Sequence, residues 1–256
     1  MSSSSVPHPN ISDPVPGTDV PVLPTSSHPR VIAIAEVLIC SSVPTQLLIG
    51  SLLALAGWAP KDASGNLLLP YVLTLLLADT VVLVALMVTL TRAHGERATD
   101  LWLGNRPMRH EVRLGVMLVP AVFLGVVILL NILRLTAPWL HNVPQNPLEQ
   151  LAGTASDAAI FALVAIVAGG VREELQRAFL LRRFERHLGG PVVGVVVLSL
   201  AFGLLHIGQG WDAAIVTGAL GAFWAIVYLR RRSSVAPIVS HAGFNGLEIL
   251  RVAALG

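Results

Sequence analysis

Apolar stretches recur along the chain, separated by short polar segments. A helix crosses the hydrocarbon core of a bilayer with ~20 mainly apolar residues at about 1.5 Å rise each. Seven stretches are candidates: residues 31–57, 67–91, 113–135, 153–181, 190–207, 212–230 and 235–254. The pattern predicts an all-α, polytopic transmembrane helix bundle of about seven spans. Pro44 falls inside the first span and Pro70 inside the second, which membranes tolerate where neighbouring groups re-satisfy the freed carbonyl. Residues 1–30 are rich in Ser and Pro and hold no apolar run. Such a segment buries too little surface to offset its ordering entropy and is expected to be a disordered cytoplasmic tail. Segment 93–112 is too polar to span. It reads either as a cytoplasmic linker or as an interfacial piece with Leu101, Trp102, Leu103 and Met108 among the headgroups.

Composition narrows the class. The chain is 54% hydrophobic and only 12% charged, about half the charged fraction of a soluble domain. Two tyrosines and seven phenylalanines are too few for the aromatic girdles of an outer-membrane barrel. The lone cysteine, Cys40, excludes an internal disulfide and a cysteine metal knuckle. The net charge of +2 rests on sixteen arginines against one lysine, Lys61. They form no basic stripe of the kind that nucleic acid requires, so no nucleic-acid partner is expected.

Arginine placement predicts the orientation. Arg92, Arg97, Arg106, Arg109 and Arg113 lie in one loop, Arg182, Arg183 and Arg186 in a second, and Arg230, Arg231 and Arg232 in a third. With seven spans, all three fall on one side of the bilayer. The excess of arginine in cytoplasmic loops then puts that side and the N-terminus in the cytoplasm, in a multi-pass protein of the plasma (cytoplasmic) membrane.

A charge at mid-bilayer costs about 2.5–3.5 kcal/mol on insertion scales, so each polar residue within a span is a functional candidate. Here these are Glu36, Asp79 and Asp157, then Arg172, Glu173, Glu174 and Arg177 in span four, His206 at the end of span five, and His241, Asn245 and Glu248 in span seven. Arg177 stands i,i+4 from Glu173 and i,i+3 from Glu174, so it can pair with either carboxylate. Adjacent glutamates point about 100° apart on a helix. One can therefore be held by the arginine while the other faces a cavity as a general base. Phe202 and His206 share one helical face, as do His241, Asn245 and Glu248, while Gly243 and Gly246 permit close helix approach. Taken alone, each group is equally an interfacial charge cluster, a capped histidine or interhelical glue. Together, two glutamates, two histidines and an amide on three helices are the set that peptide hydrolysis requires.

At these residues the chain resembles the CAAX protease and bacteriocin-processing family of intramembrane endopeptidases, also called CPBP or Abi. Phe202-Gly-Leu-Leu-His206 is similar to that family's second motif and His241-Ala-Gly-Phe-Asn245 to its third. The resemblance covers about residues 150–250 and implies a catalytic helical core over 150–256, preceded by N-terminal transmembrane helices over 31–149. The first motif departs from the family. Glu173-Glu174-Leu175-Gln176-Arg177 has two residues, not three, between the second glutamate and the arginine. Aligning on Arg177 puts Arg172 and Glu173 at the two glutamate positions, and aligning on the pair moves the arginine. The base is thus Glu173 or Glu174, with Glu173 preferred for its i,i+4 relation to Arg177.

The resemblance implies that one glutamate and His206 activate water, that His241 and Asn245 hold the oxyanion, that Arg177 orients the carboxylates and that Phe202 contacts substrate. It implies a peptide or membrane-protein substrate, lipidated or not. Glu173, His206 and His241 are also a conceivable zinc set with an open position. A metal-free, glutamate-activated water is the other reading, since a guanidinium beside the ligands disfavours a dication. Among rivals, an Asp79/Asp157 aspartyl dyad lacks Gly-x-Gly-Asp, and a serine nucleophile at Ser199 or Ser240 lacks Gly-x-Ser-x-Gly. A transporter would be favoured by inverted repeats, which the halves do not display. The remaining alternative is a non-catalytic membrane scaffold that binds or sequesters partner membrane proteins.

Overall fold

The computed structural model describes residues 28–255, so the tail expected over residues 1–30 lies almost wholly outside the described residues. Ten α-helices follow one another: α1 (Pro29–Ile39), α2 (Val43–Leu55), α3 (Leu69–Ala93), α4 (Ala98–Trp102), α5 (Met108–Thr136), α6 (Ala155–Val164), α7 (Glu173–His187), α8 (Pro191–Leu205), α9 (Trp211–Arg231) and α10 (Val235–Leu255). A π-helical segment, Ala165–Arg172, joins α6 to α7 without a break. Among the described residues the β structure is limited to one isolated bridge, Lys61 to Leu67.

Among the described residues, four helices are long and apolar enough to cross a membrane: Leu69–Ala93, Met108–Thr136, the continuous Ala155–His187, and Trp211–Arg231. A fifth is the bent pair α1 and α2. By length and composition the described residues thus hold four or five candidate spans, against the seven apolar stretches of the sequence. α8 has only 15 residues, and α10 carries the polar groups of the last motif. The first span is likewise not one helix. Ser42 adopts a left-handed φ of 71° just before Pro44, and the two halves meet at 42°. Large apolar side chains stay exposed along the bundle, among them Leu55, Leu135, Val192 and Leu200. Lipid, rather than water, is the solvent that suits such a surface.

The helices share two ends. Loop 94–107, the turn after α7 and the turn after α9 lie at one end, where Glu36 of α1 pairs with His94 (2.6 Å) and Arg183 (2.5 Å), and Glu185 pairs with Arg232 (2.6 Å). The opposite end gathers the loops 56–68 and 137–154 and the 3₁₀ turn Ile207–Gln209. There Asp212 accepts from His141 (2.9 Å) and Arg134 (3.3 Å). α4 departs from the interfacial expectation. Leu101 and Trp102 are buried in the core with Phe179, Leu181, Ala225 and Tyr228, and the indole of Trp102 donates to the Leu175 carbonyl at 3.0 Å. Leu103 and Met108 remain exposed.

Candidate active site

Close packing of glycine backbones brings the polar residues together. A Cβ on Gly170 would stand 2.5 Å from Ala242 Cβ, and one on Gly169 would strike the Asn245 amide. The π-helical segment therefore lies directly against α10, as small residues allow inside a membrane. π-helical turns inside α-helices are rare and frequent at functional sites. Here the segment ends at Arg172, so the two glutamates open α7.

Those glutamates have opposite surroundings. Glu174 is buried and its Oε1 accepts from Arg177 Nη1 and from His241 Nδ1, the latter at 2.8 Å. Arg177 thus pairs with Glu174 rather than with Glu173, which corrects the ground on which Glu173 was preferred. Glu173 turns towards a cavity, with Arg172 Nη2 at 3.7 Å and His241 Nε2 at 3.9 Å from its carboxylate. The His241 ring is clamped between these carboxylates and lies flat on Trp224, with centroids 3.8 Å apart. Phe202 packs edge-on against His206 (4.7 Å) and His241 (6.3 Å), and the Arg177 guanidinium covers its ring at 4.9 Å.

His206 closes α8. Its Nδ1 donates to the Phe202 carbonyl at 2.7 Å, which leaves Nε2 as the acceptor. Asn245 Nδ2 donates to the Ala165 carbonyl at 3.4 Å. Glu173, Phe202, His206, His241 and Asn245 all line one cavity of about 360 Å³, together with Arg172, Trp224, Glu149 and Glu248. Glu174 and Arg177 stand behind its wall. Five of the seven residues singled out from the motifs therefore share one space, and the other two hold it from outside.

Pattern reading gave no role to Trp224 or to the network behind Arg172. That guanidinium donates to Ser42 (2.7 Å) and Gln176 (3.2 Å) and lies 3.8 Å from Asp79. Asp79 in turn accepts from Thr45 and from Gln46 (3.2 Å). Nothing in the local sequence around Trp224 or Asp79 signals these contacts, because their partners lie far away along the chain.

The other candidates have separate occupations. Asp157 is tied to Thr154 at the start of α6, Glu248 to Arg251, and the Trp224 indole donates to Ser240. Among the described residues no group of three His, Cys, Asp or Glu side chains is placed to hold a metal ion. The Arg172 guanidinium beside Glu173 opposes a dication there. The donor set of Glu173, His206 and His241 does not fit zinc in this arrangement.

Residues 155–247 match the family model described as type II CAAX prenyl endopeptidase Rce1-like. No curated protein and no solved structure matches the chain.

Proposed function

From the match of residues 155–247 to the Rce1-like CAAX endopeptidase model, we propose that the chain is an intramembrane endopeptidase that hydrolyses a peptide bond in its cavity. The observation that carries this reading is the pair of carboxylates on one histidine. Glu174 holds His241 from behind at 2.8 Å, and Glu173 stands on the cavity side, 3.9 Å from Nε2. That gap is too long for a direct hydrogen bond, so the Glu173 carboxylate keeps a side free towards the cavity that it lines.

Glu173 serves as the base. It takes a proton from water as the water oxygen bonds to the peptide carbonyl carbon, assisted by the acceptor Nε2 of His206. Charge develops on the carbonyl oxygen, where the Asn245 amide acts as a donor, joined by His241 Nε2 when that ring carries a proton on both nitrogens. Collapse of the tetrahedral intermediate breaks the C–N bond, and the proton passes to the departing amine. Arg177 and Glu174 position His241, and Arg172 positions Glu173. The reading is metal-free. The substrate is a peptide or membrane-protein segment, and the apolar part of the cavity, with Phe161, Leu220 and Phe244, suits apolar side chains or a lipid chain.

The topology proposed with it has seven crossings, counting the bent α1–α2 pair, α8 and α10 with the four long helices. The arginine-rich end and the N-terminus face the cytoplasm.

The test is cleavage of fluorogenic peptides, lipidated and not, by protein in liposomes, with and without a chelator. Loss of a general base costs about 10²–10⁴-fold in rate. A loss of that order in Glu173→Gln and His206→Ala, unchanged by the chelator, is expected. Wild-type rates in Glu173→Gln would overturn the assignment of the base. No cleavage by folded wild-type protein would leave the scaffold reading, which the departure of Glu173-Glu174-Leu175-Gln176-Arg177 from the family's first motif favours.

A further inference from the structure

The direction in which the cavity opens follows from the course of the helices that line it. α3, α7 and α9 end, and α5, α8 and α10 begin, at the arginine-rich end. The deepest lining residues, Arg172 and His241, are buried at mid-helix. Away from them the lining becomes exposed in one direction only. It passes through His206 at the end of α8 and Gln209 in the turn beyond it to Glu149 in loop 137–154 and Val252 in the last turns of α10. Each of these lies at the end opposite the arginines. No lining residue comes from loop 94–107, from the turn after α7 or from the turn after α9.

The two ends differ sharply in basic residues. Eleven arginines occupy the segments 92–113, 182–186 and 230–232, while the other end holds Lys61, Arg134 and Arg251. Cytoplasmic ends carry the excess of Lys and Arg irrespective of neighbouring acids. We propose that the cavity opens to the extracytoplasmic surface. On the peptidase reading, it then takes the segment of a membrane-anchored polypeptide that emerges there, and not a tail presented from the cytoplasm. The mouth fits such a segment: Leu148, Ile249 and Val252 line it beside Glu149 and the Glu248 paired with Arg251, so an apolar stretch can enter while flanking polar residues stay at the rim.

The inference rests on the peptidase reading only for the nature of the occupant, and thiol accessibility tests the opening without any assay of cleavage. Cys40 is fully buried, so the unaltered protein stays unlabelled while folded and reports unfolding if it reacts. Glu149→Cys, Ala152→Cys and Val252→Cys place a thiol along the cavity and its mouth, and Thr99→Cys places one in an exposed position at the arginine end. Each variant is treated with a membrane-impermeant sulfonated maleimide in sealed right-side-out and inside-out vesicles. The expected result is labelling of the three cavity variants in right-side-out vesicles alone and of Thr99→Cys in inside-out vesicles alone. Cavity thiols reached from the cytoplasmic face, from both faces or from neither would each overturn the proposal. Correct labelling in a protein that cleaves no peptide would leave the opening standing and remove the peptidase.

Discussion

Glu173 and Glu174 adjoin in sequence and differ in almost everything else. Glu174 neutralises a buried guanidinium and orients an imidazole, so its removal leaves Arg177 uncompensated. Breaking a buried ion pair by removing one partner costs about 3–5 kcal/mol. Glu174→Gln is therefore expected to lower the thermal midpoint in detergent markedly, whereas Glu173→Gln leaves it near wild type while abolishing cleavage. Equal midpoints in the two variants would contradict this division of labour. Trp224 supports the face of His241, and such ring pairs contribute about 0.5–1.5 kcal/mol beyond their burial. Trp224→Leu is expected to slow turnover with the carboxylates intact, read as a fall in kcat on the peptide that wild type cleaves best. The polar members of the site were legible as violations of an apolar background. Trp224 was not, because an indole inside an apolar helix violates nothing.

At the scale of elements, the π-helical segment and α10 fit together through Gly169 and Gly170. A side chain forced into a packed contact costs about 1–3 kcal/mol. Gly170→Val is expected to destabilise by that order and to abolish cleavage, since α10 must withdraw with His241 on it. Gly208, with open space where its Cβ would stand, supplies the control: Gly208→Ala is expected to leave the urea midpoint unchanged. Apolar run length located the long helices well, because a span is a local property. It could not foresee the break at Ser42, where one left-handed residue turns the chain. Nor could it foresee the burial of Leu101 and Trp102 in α4. Five residues with an apolar side fit a headgroup layer and a protein core equally, and only tertiary contacts decide between them.

At the scale of the whole molecule, the N-terminal helices are tied by charge to the helices that carry the candidate site. Arg172 links Asp79 of α3 and Ser42 ahead of α2 to the carboxylate of Glu173, although 93 residues separate Asp79 from Arg172. That distance explains why the pair was invisible to pattern reading. Asp79→Asn keeps the shape and removes the charge, and is expected to lower both the thermal midpoint and the cleavage rate. A rate unchanged in Asp79→Asn would show that the first three helices merely shelter the core.

Fifteen residues of helix make α8 about 22 Å long, against ~30 Å of hydrocarbon in a typical bilayer, and its side chains Val192, Val196, Leu200 and Leu204 are exposed. Lipids beside it must shorten or tilt to match it, at a cost of fractions of a kcal/mol per Å of mismatch. If α8 crosses, as proposed above, the membrane is thinned beside it, and its last turn leads to His206 and the mouth of the cavity. On the peptidase reading, a substrate anchored in that bilayer would have its surface-proximal residues lowered towards Glu173, and acyl-chain length would help to decide which bond is cut.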